Sequence, residues 1–390
     1  MKFYALILFG IATTVNCDVL LQTFIDGNRR FSADVYKEIK ANQTGNFLFC
    51  PLSAEIILAL TRMGAKGATG TQLSQGLHLP DDTNQIQEIF KQLTPKLKST
   101  SAYTLNSANR IYLNNGYKIR EDFKNIAQES FSADVKNIDF KAKEAAAGEI
   151  NQWVSEQTFN KINDLIDPKM ISQDTKTVLV NALYFKGSWG TTFNEKATKT
   201  KSFFLNNNEQ VDVDMMEMTD YFRYDDNEQL QAKILEMPYV GNEYSMVIVL
   251  PNHKEGLANL ENQMDKVLTA TTEYQVKVHL QLPKFKVESE IALTDILKKL
   301  GVKDAFEDYA DLSGFSAPGE QPLKISDVVQ KAIVEVDEKG TVAAAATAVF
   351  VIATYSMIQP PVYEFNANHP FIYYIKGPEG IMFVGRYVKK

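Results

Sequence analysis

Apolar residues recur at helical spacing in the first half of the chain, and apolar–polar alternation takes over in the second. Leu20, Leu21, Phe24, Ile25, Phe31 and Val35 predict a helix between Val19 and Lys40. The run Asn46 to Ser53 reads as a short apolar strand ended by Pro51. Ser53 is expected to cap a helix over Ala54 to Met63, with Glu55 early in its first turn. Trp153, Val154, Phe159, Ile162, Leu165 and Ile166 predict an amphipathic helix from Ile150 to Ile166. Thr177 to Trp189 is a continuous apolar run interrupted by Asn181, the pattern of a strand buried on both faces with its one amide bonded inside. Residues 203 to 290 alternate and are broken by turns. Strands are expected at Phe203–Leu205, Leu235–Tyr239, Tyr244–Pro251 and Val276–Phe285, with Gly241 and Asn242 at a hairpin turn. A last helix, Leu293 to Leu300, ends at Gly301. Helices followed by sheets, with no internal repeat and no linker, predict a single α+β domain.

One stretch fits none of these patterns. Glu338 to Ser356 reads EKGTVAAAATAVFVIATYS, with small side chains throughout Ala343 to Ala346 and no charge after Lys339. Alanine favours helix, but Thr341, Val342, Thr347, Val349, Val351 and Ile352 are β-branched, and no apolar stripe runs along the segment. Such a segment can slide into a sheet as a strand without burying an ion. With a period of two, Thr341, Ala343, Ala345, Thr347, Val349 and Val351 share one face, small at the start and apolar later.

Composition narrows the classes. The 390 residues are 45% hydrophobic and 23% charged, as in a globular protein, and a net charge of −7 argues against nucleic acid as a partner. Residues 1 to 17 combine Lys2, a short apolar run and small residues near Cys17, the features of a secretory signal. Cleavage after Cys17 leaves residues 18 to 390 as the mature chain. No later run is long enough to anchor it in a membrane. Cys50 then has no partner for a disulfide, so stability rests on a large core. Asn42-Gln43-Thr44 is an N-glycosylation acceptor. Catalytic patterns are missing: His78, His253, His279 and His369 form no HExxH, and Gly187-Ser188-Trp189 makes no nucleophile elbow. Gly64, Gly67 and Gly70 fit no phosphate loop. Neither an enzyme, a metal site nor a cofactor is expected.

The end of the chain carries a family resemblance. Gly340-Thr341 and the alanine run, then Phe365-Asn366-Ala367-Asn368-His369-Pro370-Phe371 and Phe383-Val384-Gly385-Arg386, resemble the C-terminal signature of the serpins, which are secreted protease inhibitors. The likeness extends to Ser245–Pro251, Leu282–Phe285 and the Asn181 strand, and so covers nearly the whole mature chain. It implies about nine helices around three β-sheets, with an exposed reactive-centre loop at about 338–361. It also implies a mechanism in which a protease cuts the loop, is held as an acyl-enzyme and is dragged as the loop inserts into the central sheet. The hinge would be Glu338, Gly340, Thr341 and Ala343, Ala344, Ala345 and Ala346, unbroken by proline or charge after Lys339. The family's loop length puts the cut at Thr354-Tyr355, with Tyr355-Ser356 or Ala353-Thr354 as alternatives. Ser53, Asn181, Trp189 and Gln330 would occupy the breach and shutter, where the sheet opens. Cys50 stands where the family usually has Ser, and Gln330 where it often has His.

Without Arg or Lys in the bait, a chymotrypsin- or elastase-like target is favoured over a trypsin-like one. A papain-like protease and a non-inhibitory carrier are the alternatives. The expected partner is a protease bound covalently to a secreted monomer. Lys91, Lys96 and Lys98, interrupted by Pro95, are too few to argue for glycosaminoglycan binding.

Overall fold

The computed structural model describes residues 2–272, 274–340 and 361–389, with side chains from residue 19 onward. The first half runs α1 (Lys2–Asn42), β1 (Phe47–Phe49), α2 (Pro51–Gly64), α3 (Gly67–Gly76), α4 (Thr83–Leu93), β2 (Tyr103–Asn114), α5 (Glu121–Phe131), β3 (Asp134–Ile138) and α6 (Lys143–Gln157). Strands dominate next: β4 (Thr177–Gly187), β5 (Lys199–Phe204), β6 (Gln210–Asn227), β7 (Ala232–Pro238) and β8 (Ser245–Pro251). The chain then forms α7 (Leu257–Glu261), α8 (Met264–Thr269), β9 (Tyr274–Pro283), β10 (Phe285–Ala292), α9 (Thr294–Lys299) and β11 (Asp327–Val336). It closes with β12 (Val362–Asn366), β13 (Phe371–Gly377) and β14 (Gly380–Tyr387).

The described residues thus form an α+β fold with nine α-helices. A five-stranded sheet has the order β10-β11-β4-β2-β3, and a larger one the order β1-β14-β13-β8-β7-β6-β9-β12, with β5 also on β6. The three sheets implied by the resemblance become two bonded sets because the 18-residue β6 belongs to both halves of the larger one: Arg223–Asn227 pair with β7, and Met215–Tyr224 with β9.

Burial of β4 follows its pleat. Val178, Val180, Ala182 and Tyr184 face a core shared with Ala146, Ala147, Ile150 and Val154 of α6. Leu179, Leu183 and Phe185 face the main core, which includes α2. Being covered on both sides, β4 reads as an apolar run rather than an alternating one.

Three helices differ from expectation at their boundaries, and α1 begins at Lys2, well ahead of Val19. The helix predicted over 150–166 starts at Lys143 and stops at Gln157. Thr158 ends it: its hydroxyl donates to the Val154 carbonyl and accepts from the Ile162 amide, while Phe159 and Asn160 take positive φ. Ile162, Leu165 and Ile166 are buried all the same, through an irregular segment laid on the sheet. Ser53 does not cap α2. The helix begins at Pro51, whose fixed φ suits the first helical position, so uncapped Cys50 precedes it and Ser53 lies in its first turn. Glu55 consequently falls beyond the first turn and is fully buried.

Candidate functional site: the seam between β4 and β11

At the centre of the five-stranded sheet, β4 and β11 run parallel, from Asp327 opposite Val178 to Val334 opposite Phe185. Among the described residues, every other neighbour of these two strands is antiparallel. The parallel pair is the weaker kind of ladder.

One row of polar side chains crosses this seam. Asn109 of β2, Asn181 of β4 and Gln330 of β11 are in register and face α2. The Gln330 amide donates to Asn181 Oδ1 (2.6 Å) and to the Cys50 carbonyl (2.8 Å), and its Oε1 accepts from the Cys50 amide (2.8 Å). Asn181 Nδ2 donates to Asn109 Oδ1 and to the hydroxyl and carbonyl of Ser53. Cys50, Ser53, Asn181 and Gln330 are all buried, so each polar atom must find its partner within the row. Burial pushes the Cys50 thiol well up, which keeps it neutral and inert as a nucleophile. Asn109 was not anticipated; the only signal would have been its register with Asn181.

The opposite face of the seam is strapped. Lys161, in the irregular segment after α6, lies over the Tyr184 ring of β4. Lys331 of β11 donates to the Asn163 carbonyl (2.9 Å) and pairs with Glu288 (3.1 Å).

The seam's mouth lies at the C-terminal ends of β4 and β11. Trp189 stacks on Tyr239 (4.7 Å between centroids), and its indole N–H donates to the Asp337 carbonyl (2.8 Å). The Phe193 amide donates to the Glu338 carbonyl. The Glu338 carboxylate accepts from Lys284 and Thr198, both at 2.8 Å. Burial alone would raise the Glu338 carboxyl, but the bonds from Lys284, the backbone and Thr198, with the Lys284 charge, outweigh it and hold the group below its usual range. Gly340 has φ +66°, and a Cβ there would come within 2.2 Å of the Gly187 carbonyl oxygen. Only glycine fits where the chain leaves β11 against the end of β4.

The structure therefore brings Ser53, Asn181 and Gln330 together at mid-seam, and Trp189, Glu338 and Gly340 at its mouth. Thr341, Ala343, Ala344, Ala345, Ala346, Thr354, Tyr355 and Ser356 lie outside the described residues. Asn42 is exposed at the end of α1.

A family model described as serpin (serine protease inhibitor) matches residues 26–390. The chain belongs to the serpin family. It is 40% identical to the leukocyte elastase inhibitor of Xenopus tropicalis over 371 residues, covering 92% of this chain and 97% of that one. Antichymotrypsin-2 of Bombyx mori is 34% identical over 365 residues, covering 92% and 96%. Among solved structures, Serpin48 of Tenebrio molitor has a TM-score of 0.86 at 39% identity, covering 95% and 98%. Membership supports protease inhibition as this serpin's activity and sets it apart from enzymes.

Proposed function

We propose that residues 1–17 direct secretion and that the mature serpin, a monomer, traps a serine protease covalently by inserting its cleaved loop between β4 and β11. The observation carrying this reading is the closed parallel seam, with the chain leaving β11 at Gly340 directly against its mouth. A segment turning back there would run antiparallel to β11 and to β4, replacing one parallel ladder with two antiparallel ones. The charge-free hinge from Gly340 to Ala346 suits that position.

The chemistry balances at the bait. The protease's serine oxygen attacks the Thr354 carbonyl carbon and forms an ester. The Thr354–Tyr355 C–N bond breaks, and the serine's proton passes to the new Tyr355 amino group. Insertion then removes the ester from the geometry needed for water to cleave it. The bait's composition favours a chymotrypsin- or elastase-like target, with Tyr355-Ser356 as the alternative bond. The exposed Asn42 suits glycosylation.

Incubation of the secreted serpin with chymotrypsin, elastase, trypsin and a papain-like protease, followed by denaturing gels and mass spectrometry, tests this. The expected result is a detergent-stable complex with chymotrypsin or elastase and a released peptide beginning at Tyr355 or Ser356. A complex with the papain-like enzyme alone assigns a thioester trap. Loop cleavage by every protease, with no complex and no gain in thermal stability, refutes the inhibitory reading in favour of a carrier.

A further inference from the structure

β9 begins at Tyr274, opposite Tyr224 of β6, and β6 runs on beyond that pair to meet β7. The step left at the end of β9 is closed by the last turn of α8 and by Ala270 and Thr271. Asp265 fastens α8 to Lys37 of α1 (2.8 Å), and Lys266, one residue on, turns to another side and lines the step. The result is an open cleft of about 410 Å³, the size of a small-molecule site. Tyr224 and Tyr274, in register on adjacent strands, stand side by side as one aromatic wall of it. Tyr224 is 8% exposed and packs against Tyr363 (5.3 Å between centroids), whereas Tyr274 is 72% exposed. Asp225, Asn227, Gln229 and Thr271 join Lys266 in a polar rim. Among the described residues Leu230 and Ala270 are the only aliphatic side chains in the lining.

We propose that this cleft binds a neutral oligosaccharide, with one pyranose ring lying on Tyr274 and its hydroxyls reaching the polar rim. The inference is independent of the loop and of the inhibitory reading. A pyranose presents an apolar face of C–H groups and an edge of hydroxyls. That matches a tyrosine wall bordered by carboxylate, amide, ammonium and hydroxyl groups. Asp225 and Lys266 are the charges of the lining and they cancel, so a sulfated or phosphorylated ligand finds one cation where it needs several. An apolar ligand would strip water from the rim and leave its groups unpaired. Asp225 accepts from Asn227 Nδ2 (3.0 Å), which holds the carboxylate in place and leaves it lone pairs for a sugar hydroxyl. Lys266 and Gln229 supply donors on the same rim. Because Tyr224 is already packed, part of the wall is set before a ligand arrives, and little ordering opposes binding. Binding here would hold the serpin on a glycosylated surface while leaving the seam untouched.

The test is saturation-transfer NMR and calorimetry on the intact secreted protein. Maltotriose, mannotriose and N,N′-diacetylchitobiose are the neutral probes, and a heparin tetrasaccharide is the charged one. The expected result is one-to-one binding of at least one neutral probe, with a Kd of about 1 mM or tighter. Tyr274→Thr, which keeps a strand-forming residue in β9, should weaken it about tenfold with unchanged melting temperature. Tyr274→Phe, which keeps the ring, should bind as wild type does. Gln229→Ala, outside the strands, should weaken binding about threefold and covers the case in which Tyr274→Thr disturbs β9. No binding of any neutral probe at about 10 mM overturns the inference and leaves the inhibitory reading standing. Binding that Tyr274→Thr and Gln229→Ala both leave within about twofold of wild type overturns it too, since the sugar then sits elsewhere. Displacement of the neutral probe by the heparin tetrasaccharide, or binding of that tetrasaccharide alone, overturns the neutral class.

Discussion

Gln330→Leu tests whether the polar row holds the β4–β11 seam. Leucine roughly matches glutamine in volume, so the change removes hydrogen bonds without opening a cavity. Three bonds disappear: to Asn181 Oδ1, to the Cys50 carbonyl and from the Cys50 amide. The Cys50 carbonyl keeps the Ala54 amide as a donor. The Cys50 amide and Asn181 Oδ1 are left buried and unpaired, at about 1–3 kcal/mol each, or roughly 2–6 kcal/mol in all. At about 2 cal/mol/K per residue, a chain of this length has an unfolding entropy near 0.8 kcal/mol/K, which converts the loss to about 2–7 °C in Tm. The assay is a thermal melt of uncleaved and loop-cleaved protein at one scan rate. In the cleaved form the inserted strand separates Gln330 from Asn181, so the variant should lose less there. Gln330→His, which can still accept or donate, should recover part of the uncleaved loss and add a dependence on pH near neutrality. An uncleaved Leu variant melting within about 1 °C of wild type, or equal losses in both forms, refutes the reasoning.

Gly340→Ala places a methyl 2.2 Å from the Gly187 carbonyl oxygen in a left-handed conformation. We expect a destabilisation of at least about 1 kcal/mol and more serpin consumed as substrate per protease trapped; unchanged melting and titration end point would contradict it. Glu55 is buried, and this raises its carboxyl well above 4.5 despite a bond from Asn28. A raised folded pKa gives stability that is present below about pH 4.5 and lost as pH rises toward the folded value, at about 1.4 kcal/mol per unit. Glu55→Gln should therefore gain on wild type as pH rises above 5 in urea melts, and parallel pH profiles would refute it. Trp153→Phe leaves Trp189 as the sole tryptophan. Its indole is bonded to Asp337 at the mouth, so its emission should shift when the cleaved loop inserts, and identical spectra before and after would argue that the mouth stays closed.

Legibility followed the physical origin of each feature. The two-sided burial of β4 and its one bonded amide could be read because an isolated Asn in an apolar run has to be satisfied internally. The turn at Gly241 and Asn242 could be read because both residues take positive φ, which their types permit. Asn109 could not, since β2 carries several polar residues and only strand register sets this one against Asn181. The clasp of Glu338 by Lys284 and Thr198 joins residues 54 and 140 positions apart, beyond any local pattern. The end of α6 was misread because Ile162, Leu165 and Ile166 keep helical spacing while a side-chain hydroxyl unwinds the backbone beneath them.

The seam's fastenings share a character that bears on how it opens. The Asn109–Asn181–Gln330 row beneath, the Lys161 and Lys331 straps above and the Trp189 and Glu338 clasps at the mouth are all polar or cation–ring contacts. Each exchanges a partner that water or a new strand can replace, so each is worth about 1 kcal/mol net, not the several lost in tearing an apolar core. The apolar side chains of β4 and β11 meanwhile point up and down into the two cores, not across the seam. Parting the strands therefore breaks one parallel ladder and a few polar contacts while leaving both cores packed. A closed seam of this kind holds against thermal motion by the sum of small terms, yet a segment of about fourteen residues offering two antiparallel ladders can outweigh that sum once cleavage frees it.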